Sequence, residues 1–582
     1  MRPMREYTFA THDGVELYYR HWPALGGPTR GGIVMFHRGH EHSGRMAHLV
    51  DELMLPDHDF FAWDARGHGR SPGPRGDSPS FGTSVRDVQT FVDHIGTCHG
   101  IAARDIAILA QSVGAVLAAT WVHDYAPPIR SMVLASPAFR VKLYVPLALP
   151  GLRLMRRAFG NFFVTSYVKP QFLTHDPARI ESYRTDPLLS KAISVNVLLG
   201  LQAAADRVVA DSQAISVPTQ LLISGADWVV HHGPQHAFFD RLGSVEKERH
   251  LLHGFLHDTL GERDRARAVD LVRAFLVRTF AAPRMHRNLL DADQHGPTRE
   301  EADALAAPLP LLSPRGLYWS ATRAGLRFGG LFADGVRLGH DTGFDSGSTL
   351  DYVYRNRANG RTPIGRYMDR NFLDAIGWRG IRQRKLDVEA MLRDAIARLR
   401  AAGAPVHVVD IAAGHGRYVL EAVAAMRERP DSILLRDYRA LNVERGAALI
   451  REKGLDAIAR STIGDAFDRA SLAALSPQPT LGIVSGLYEL VPDNAAVRQS
   501  LAGLADAIAP GGYLVYTGQI WHPQLELIAR ALTSHRHNEA WVMRRRTQEE
   551  MDQLVAAAGF RKEAQRIGES GIFTVSLATR VA

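Results

Sequence analysis

The 582-residue chain has one cysteine, Cys98, so no intramolecular disulfide can form, which fits a reducing compartment. It also lacks an apolar stretch of membrane-spanning length. Runs such as LYVPLALPGL are interrupted by Pro146 and Pro150 and fall short of the roughly 20 residues that cross a bilayer. The opening MRPMREYTFATHDGVELYYRHW mixes charge and alternation where an export signal would carry an unbroken apolar segment. A soluble, cytoplasmic protein is expected. There is no dense basic block either: Lys and Arg outnumber Asp and Glu by 69 to 61, a dispersed net charge of +8, so no nucleic-acid partner is expected. A solvated basic surface, or attraction to anionic lipids or phosphorylated substrates, remains open. No Walker A sequence, RNA-binding aromatic pattern or internal repeat is found. His37, His40, His42, His231, His232 and His236 have no matching set of carboxylates or cysteines, so no metal is expected. Cys98 has no paired base in a motif and reads as a buried packing residue.

What is present is ordinary for a globular protein, with 46% apolar and 22% charged residues. The length exceeds what one hydrophobic core normally serves, so at least two domains are expected. Short apolar runs alternate with helical periodicity through two long stretches, the pattern of α/β domains built on parallel sheets. We divide the chain into residues 1–282, a Pro-rich polar linker over 283–315, a helical lead-in over 316–385 and a second α/β domain over 386–582.

In the first domain, IAILAQSVGAVLAATWV places Ser112 where a strand-like run meets a helical one. A serine on such a turn projects its hydroxyl above the sheet, and small neighbours are needed because backbone segments come close. The local pattern is A-x-S-x-G, with Ala110 at the first glycine position; taken alone, Ser112 also reads as a helix N-cap. Downstream, VPTQLLISGADWVV ends a buried strand near Asp227, and ERHLLHGFLHDTLGE sets His257 just before a helix. The order serine, acid, histidine is that of an α/β hydrolase triad, in which the acid fixes the imidazole tautomer and the imidazole takes the serine proton.

Upstream stand His37, Arg38, Gly39, His40, Glu41, His42, Ser43, and then Asp64, Ala65, Arg66, Gly67, His68, Gly69, Arg70, Ser71. These resemble the H-G-x-G-E-H-S and D-x-x-G-H-G-x-S motifs of monoacylglycerol lipases and lysophospholipases, of the serine aminopeptidase S33 type. The resemblance covers residues 1–280 and implies an acyl-ester hydrolase whose oxyanion hole is formed by the N–H groups of Gly39 and Val113. The chain departs from the family at Arg38 and His40, both glycine positions. Arg38 reads in two ways: a fixed cation that favours substrates with an anionic head group, or a structural ion pair. Residues 137–218 occupy the place of the family's lid. Their VKLYVPLALPGLRLMRRAFGNFFV interleaves apolar residues with Lys142, Arg153, Arg156 and Arg157, and either rests on an anionic membrane or packs its apolar face on the hydrolase core.

The second domain opens with VHVVDIAAGHGRYVLEAVAAM, a buried strand, a glycine turn and a helix. Gly414 and Gly416 permit backbone approach to a nucleotide-like ligand, and Asp410 at the strand end accepts hydrogen bonds. Val419 stands where a dinucleotide fingerprint wants a third glycine or alanine, which disfavours a nicotinamide site. Asp437 ends the next strand, and Asp465 follows the third. Two closing strands are joined by a turn over Gly568 to Gly571. This combination resembles class I S-adenosylmethionine-dependent methyltransferases over residues 386–582. The resemblance implies a Rossmann-like sheet with a final antiparallel hairpin, S-adenosyl-L-methionine as cofactor, and cofactor contacts from Asp410, Ala412, Gly414, Gly416, Asp437 and Asp465.

Candidates for the methyl-acceptor pocket are Tyr488 and Glu489 after the fourth strand, and Gln519, Trp521 and His522 after the fifth; His522 reads either as a base toward the acceptor or as a structural loop histidine. Tyr352, Tyr354 and Arg366 of the lead-in either cover the site or pack. The reading is a bifunctional enzyme acting on small-molecule or lipid substrates, with peripheral membrane contact through the lid. The alternative is a peptidase or thioesterase joined to a non-catalytic, cofactor-binding regulatory domain.

Overall fold

A computed structural model describes residues 2–283, 287–360, 362–536 and 539–581. The chain forms two compact units, Met1–Arg287 and Asn288–Ala582. Among the described residues no helix is long and apolar enough to cross a membrane.

The first unit contributes β1 (Arg5–Ala10), β2 (Glu16–Trp22), β3 (Gly32–Phe36), β4 (Asp59–Trp63), β5 (Ile106–Gln111), β6 (Ser131–Ala135), β7 (Phe163–Thr165), β8 (Ala192–Ser194), β9 (Thr219–Ser224) and β10 (Lys247–Leu252). Eight of them form one sheet in the order β1-β2-β4-β3-β5-β6-β9-β10. Only the pairings of β2 with β1 and with β4 are antiparallel. Every residue of β3, β4, β5, β6 and β9 is buried, as strands covered by helices on both faces require. The remaining pair, β7 and β8, is a small antiparallel ribbon within the lid.

The second unit holds β11 (His407–Ile411), β12 (Ser432–Asp437), β13 (Ala459–Ile463), β14 (Leu481–Val484), β15 (Tyr513–Gln519), β16 (Phe560–Ile567) and β17 (Phe573–Arg580). Their order is β13-β12-β11-β14-β15-β17-β16. The first five are parallel, and β17 runs antiparallel between β15 and β16. The order reverses between β11 and β14, and the crevice beyond their C-terminal ends is where open α/β sheets bind ligands.

The segment read as a linker differs from that expectation. Residues 284–286 lie outside the described residues, but Asn288 onward belongs to the second unit and includes a helix, Pro297–Ala306. Asp293 accepts the Asn494 N–H at 2.8 Å, and Arg544, fully buried, donates to Thr298 Oγ1 at 2.9 Å. Buried arginines far along the chain hold this polar stretch, so its local composition gave no sign of it. The lead-in is helical, over Pro314–Gly329, Asp334–Thr342, Gly347–Arg355 and Pro363–Leu373, and its last helix, Ile376–Ala401, runs past the boundary placed at residue 385. Cys98 is exposed rather than buried, because it falls on the solvent side of the last turn of the helix Phe81–His99.

Candidate active sites of the two units

Ser112 sits between β5 and the helix Val113–Tyr125 with φ 56° and ψ −115°. A side chain in this left-handed region costs free energy, which the surrounding structure must offset. Gly114 shows why the turn is tight: a Cβ there would lie 2.5 Å from the His37 carbonyl oxygen. The serine stands at the N-cap position of that helix, but its side chain makes no capping hydrogen bond. Its Oγ lies 2.8 Å from His257 Nε2, and His257 Nδ1 lies 2.8 Å from Asp227 Oδ2. Asp227 Oδ1 accepts the N–H groups of Val229 (2.7 Å) and Val230 (3.0 Å). Burial works against its charge, but the His257 imidazole and those two N–H groups hold the Asp227 carboxyl below its ordinary value. Gln111, which sequence reasoning missed, donates to the His257 carbonyl at 3.3 Å and to Asp258 at 3.0 Å, fastening the histidine loop from the end of β5.

Gly39 lies against Val113, since a Cβ on Gly39 would sit 3.0 Å from Val113 Cγ2. Val113 begins a helix, so its N–H has no acceptor within that helix. His40 takes φ 69°, the left-handed conformation for which the family uses glycine. Burial and the Arg38 charge lower its pKa to about 4, so it is neutral near pH 7.

Arg38 sits in a buried network of ion pairs. Its Nη2 donates to Glu41 Oε1 at 2.6 Å, and its Nε is 3.8 Å from Asp258. Arg45 shares the same Glu41 oxygen at 2.6 Å, while Arg179 of the lid reaches Asp258 at 2.8 Å. Arg38, Glu41 and Asp258 are buried, so the structural ion pair is present, and Arg38 also lines the cavity that opens onto Ser112.

A cavity of about 530 Å³ opens onto Ser112 and His257. Its walls are mainly apolar lid residues, among them Leu143, Leu152, Met155 and Leu198. The lid helix Ala148–Phe159 buries no residue completely. It turns Leu152 and Met155 toward the cavity and leaves Leu154 and Phe159 exposed, so it does not pack one apolar face on the core.

In the second unit a cavity of about 550 Å³ lies beyond β11 and β14, lined by Ala412, Gly414, Gly416, Asp437, Asp465 and Gly486, among others. Gly416 has φ 69°, and a Cβ there would overlap Leu435 at 2.4 Å. Ala412 holds φ 55° without being glycine. Asp437 accepts the Gly414 N–H at 3.0 Å, the Arg439 N–H at 2.9 Å and Asn442 Nδ2 at 3.0 Å. Asp465 is exposed in the cavity wall, with one oxygen accepting the Phe467 N–H.

Asp410 departs from its expected place. It is fully buried beneath the loop, beside the buried Tyr418 side chain, and is absent from the cavity wall. Burial raises its pKa well above the ordinary value. The lead-in closes over the loop: Asp351 receives Arg417 Nε at 2.5 Å, Tyr354 lines the cavity, and Gly347 Cα would lie 3.5 Å from a Cβ on Gly414. Tyr352 bonds Asp369 and packs, and Arg366 is exposed.

A second cavity, of about 460 Å³, shares Asp345, Leu350, Gly486 and Leu490 with the first, so the two adjoin. Glu489, Gln519 and His522 line it. Tyr488 does not; its ring is in the core and its hydroxyl donates to Ser500 at 3.1 Å. Trp521 is likewise absent from the lining. His522 Nδ1 accepts the Gln524 N–H at 3.0 Å, which assigns the imidazole proton to Nε2. Burial lowers its pKa to about 4. His522 is therefore a neutral hydrogen-bond donor at Nε2, not the base read from the sequence. Sequence reasoning missed Arg384 and the apolar wall of this cavity, whose residues come from the lead-in, where no periodicity marked them.

Comparison with known proteins agrees with this division. A family model described as "Serine aminopeptidase, S33" matches residues 27–264, and one described as "Putative methyltransferase" matches residues 272–580, more than half of the chain. The Escherichia coli (strain K12) "Uncharacterized protein YnbC" is 54% identical over 576 residues, covering 99% of this chain and 98% of that one. The "Monoacylglycerol lipase" of Mycolicibacterium smegmatis is 24% identical over 278 residues, 47% of this chain and 96% of that protein. The Homo sapiens "Monoglyceride lipase" is 27% identical over 251 residues, 42% of this chain and 80% of that protein. The chain thus belongs to the family of that "Putative methyltransferase" model and of the Escherichia coli protein, and it carries an N-terminal α/β hydrolase domain of the S33 type similar to monoglyceride lipases.

Proposed function

We propose that the chain is a bifunctional enzyme. Its first unit hydrolyses an acyl ester of a lipid-like substrate, and its second transfers a methyl group from S-adenosyl-L-methionine to a small-molecule or lipid acceptor. The observation that carries the hydrolase reading is the unbroken line from Ser112 Oγ through His257 to Asp227, with 2.8 Å at each step. In this reading His257 Nε2 takes the Ser112 proton as Oγ attacks the ester carbonyl. The Gly39 and Val113 N–H groups hold the developing oxyanion, and Asp227 stays ionised and stabilises the imidazolium. His257 then protonates the leaving alcohol, and water repeats the sequence on the acyl-enzyme. The apolar cavity beside Ser112 suits an acyl chain.

For the second unit, the residues fit the cofactor: a loop whose Gly414 and Gly416 hold positive φ and line one cavity, with Asp437 and Asp465 set along it. Asp437 would hold ribose hydroxyls and Asp465 the adenine amino group. When bound, the cofactor supplies a methyl group on a positively charged sulfur. The protein's part is to align the acceptor and exclude water.

Exposed Leu147, Leu154 and Phe159, flanked by Arg153, Arg156 and Arg157, support peripheral contact of the lid with an anionic membrane. A deciding experiment incubates the full chain with 1-monododecanoylglycerol, and separately with tritiated-methyl cofactor and lipid extract. Ser112→Ala should abolish only fatty-acid release, and Asp437→Ala only label transfer; loss of neither activity would reject the assignment.

A further inference from the structure

The cavity of about 460 Å³ is apolar almost throughout, walled by Phe344, Phe372, Trp378, Trp541, Met543 and Phe573. Its size is that of an ordinary small-ligand pocket, roughly 300–1,000 Å³. The polar groups in its wall are few, among them Glu489, Gln519, His522 and Arg384. Glu489 is buried; its Oε1 accepts the Thr517 hydroxyl at 2.7 Å and has Arg384 Nη1 at 3.5 Å, while its Oε2 has no hydrogen-bond partner among the described residues. Gln519 is buried with Nε2 likewise unpartnered. His522 presents Nε2–H, and Gly377 makes room for it, since a Cβ there would lie 2.9 Å from that nitrogen. Gly486, common to both cavities, gives its N–H to Thr517 Oγ1 at 2.9 Å, so the same hydroxyl joins the cofactor wall to Glu489.

Buried polar groups without partners are rare in folded proteins, and four in the wall of one apolar cavity, Glu489 Oε2, Gln519 Nε2, Arg384 Nε and Trp541 Nε1, point to a ligand. The set is one anionic acceptor, Glu489 Oε2, and four donors, of which Gln519 Nε2 and His522 Nε2–H are neutral side chains at and after the end of β15 and Arg384 Nε and Trp541 Nε1 lie elsewhere in the wall. A carboxylate finds a cation in Arg384 but has no hydrogen to donate to Glu489 Oε2, which it leaves unmet. An ammonium donates only, leaving Gln519 and His522 unmatched. A hydroxyl both donates and accepts, so it matches the Glu489 acceptor and the Gln519 and His522 donors in kind.

Resting on the methyltransferase reading above, we propose that this cavity binds an apolar alcohol or phenol for O-methylation, with Glu489 Oε2 receiving the hydroxyl proton and Gln519 and His522 orienting the oxygen. The O–H bond breaks and its proton passes to Glu489. The oxygen lone pair forms the new bond to the methyl carbon, whose former bonding pair stays with sulfur, so a neutral thioether and a methyl ether result. Glu489 then returns the proton to solvent.

The test uses the full chain and three matched probes, 1-dodecanol, dodecylamine and dodecanoate, with 2-naphthol as an aromatic alcohol. Calorimetry with S-adenosylmethionine comes first; absence of binding overturns the methyltransferase reading and this inference together. With binding established, label should reach dodecanol or naphthol and neither of the other two. Dodecanol should also change the fluorescence of Trp378 and Trp541 saturably without cofactor. Glu489→Gln should keep cofactor affinity and the fluorescence response but lose about 100-fold or more in transfer, the scale of a lost general base. Gly377→Ala, which displaces the imidazole without altering His522, should reduce transfer while leaving cofactor affinity unchanged. Label on the amine or acid, no label on any probe, or a Glu489→Gln rate equal to wild type would overturn the alcohol assignment while leaving the cofactor site standing.

Discussion

Replacing Asp227 with asparagine tests the hydrolase mechanism at its least tolerant point. Two backbone N–H groups, from Val229 and Val230, point at Oδ1, so the asparagine oxygen must take that side and its NH2 must face His257 Nδ1. Nδ1 then has to accept, the imidazole proton moves to Nε2, and Nε2 faces Ser112 Oγ carrying a hydrogen instead of a lone pair. The base is lost with the shape intact. A wrong-tautomer histidine costs about 10⁴ in rate, which at about 1.36 kcal/mol per decade is about 5.4 kcal/mol of transition-state stabilisation. We expect this loss in kcat/KM for p-nitrophenyl butyrate, with cofactor affinity of the second unit unchanged. A variant within tenfold of wild type would remove His257 from the role of base. Stability provides an independent check. The Asp227 carboxyl titrates below its ordinary value in the fold, so its contribution is complete above the unfolded value, about 3.9, and disappears as pH falls through the folded one. The melting-temperature advantage of wild type over Asp227→Asn should therefore be larger at pH 7 than at pH 3.

Three other outcomes follow from the geometry. Gly114→Ala places a methyl 2.5 Å from the His37 carbonyl, a backbone atom that cannot turn aside, and should cost about 1–3 kcal/mol of stability and most esterase activity; wild-type values for both would refute the close helix-to-strand contact. Glu41→Gln strands Arg38 and Arg45 and should destabilise the first unit by about 3–5 kcal/mol in denaturant titrations. The wild-type Glu41 contribution, with the carboxyl held by these arginines at about 2 against its burial, is complete above about 4.5 and should decay as pH falls toward about 2, while Glu41→Gln should lack that decay. Gly416→Ala meets Leu435 in a left-handed backbone position and should weaken cofactor binding at least tenfold by calorimetry while sparing esterase turnover; unchanged binding would move the cofactor site elsewhere.

The parts of this protein legible from the amino-acid order are those that local physics dictates. Ser112, Asp227 and His257 each follow a strand or precede a helix, and their chain order set the triad expectation before any distance was known. The glycine turn after β11 and the carboxylate ending β12 stood out because a parallel strand is a short apolar run with a polar residue at its end. Other assignments depended on partners hundreds of residues away, which no window of sequence contains. Arg38 had two readings, and its ion pair with Glu41 and approach to Asp258 came into view only with the packed chain. Asp410 stands at the right place in its motif yet is drawn beneath the loop, and Tyr488 turned into the core while Glu489, its neighbour, turned to the cavity. Residues 288–306 look like a linker until buried Arg544 reaches them, and Cys98 required the orientation of one helix turn. Periodicity and turn chemistry act over a few residues and are written in order; the pairing of buried charges and the walls of cavities depend on which surfaces meet, and only the packed chain settles that.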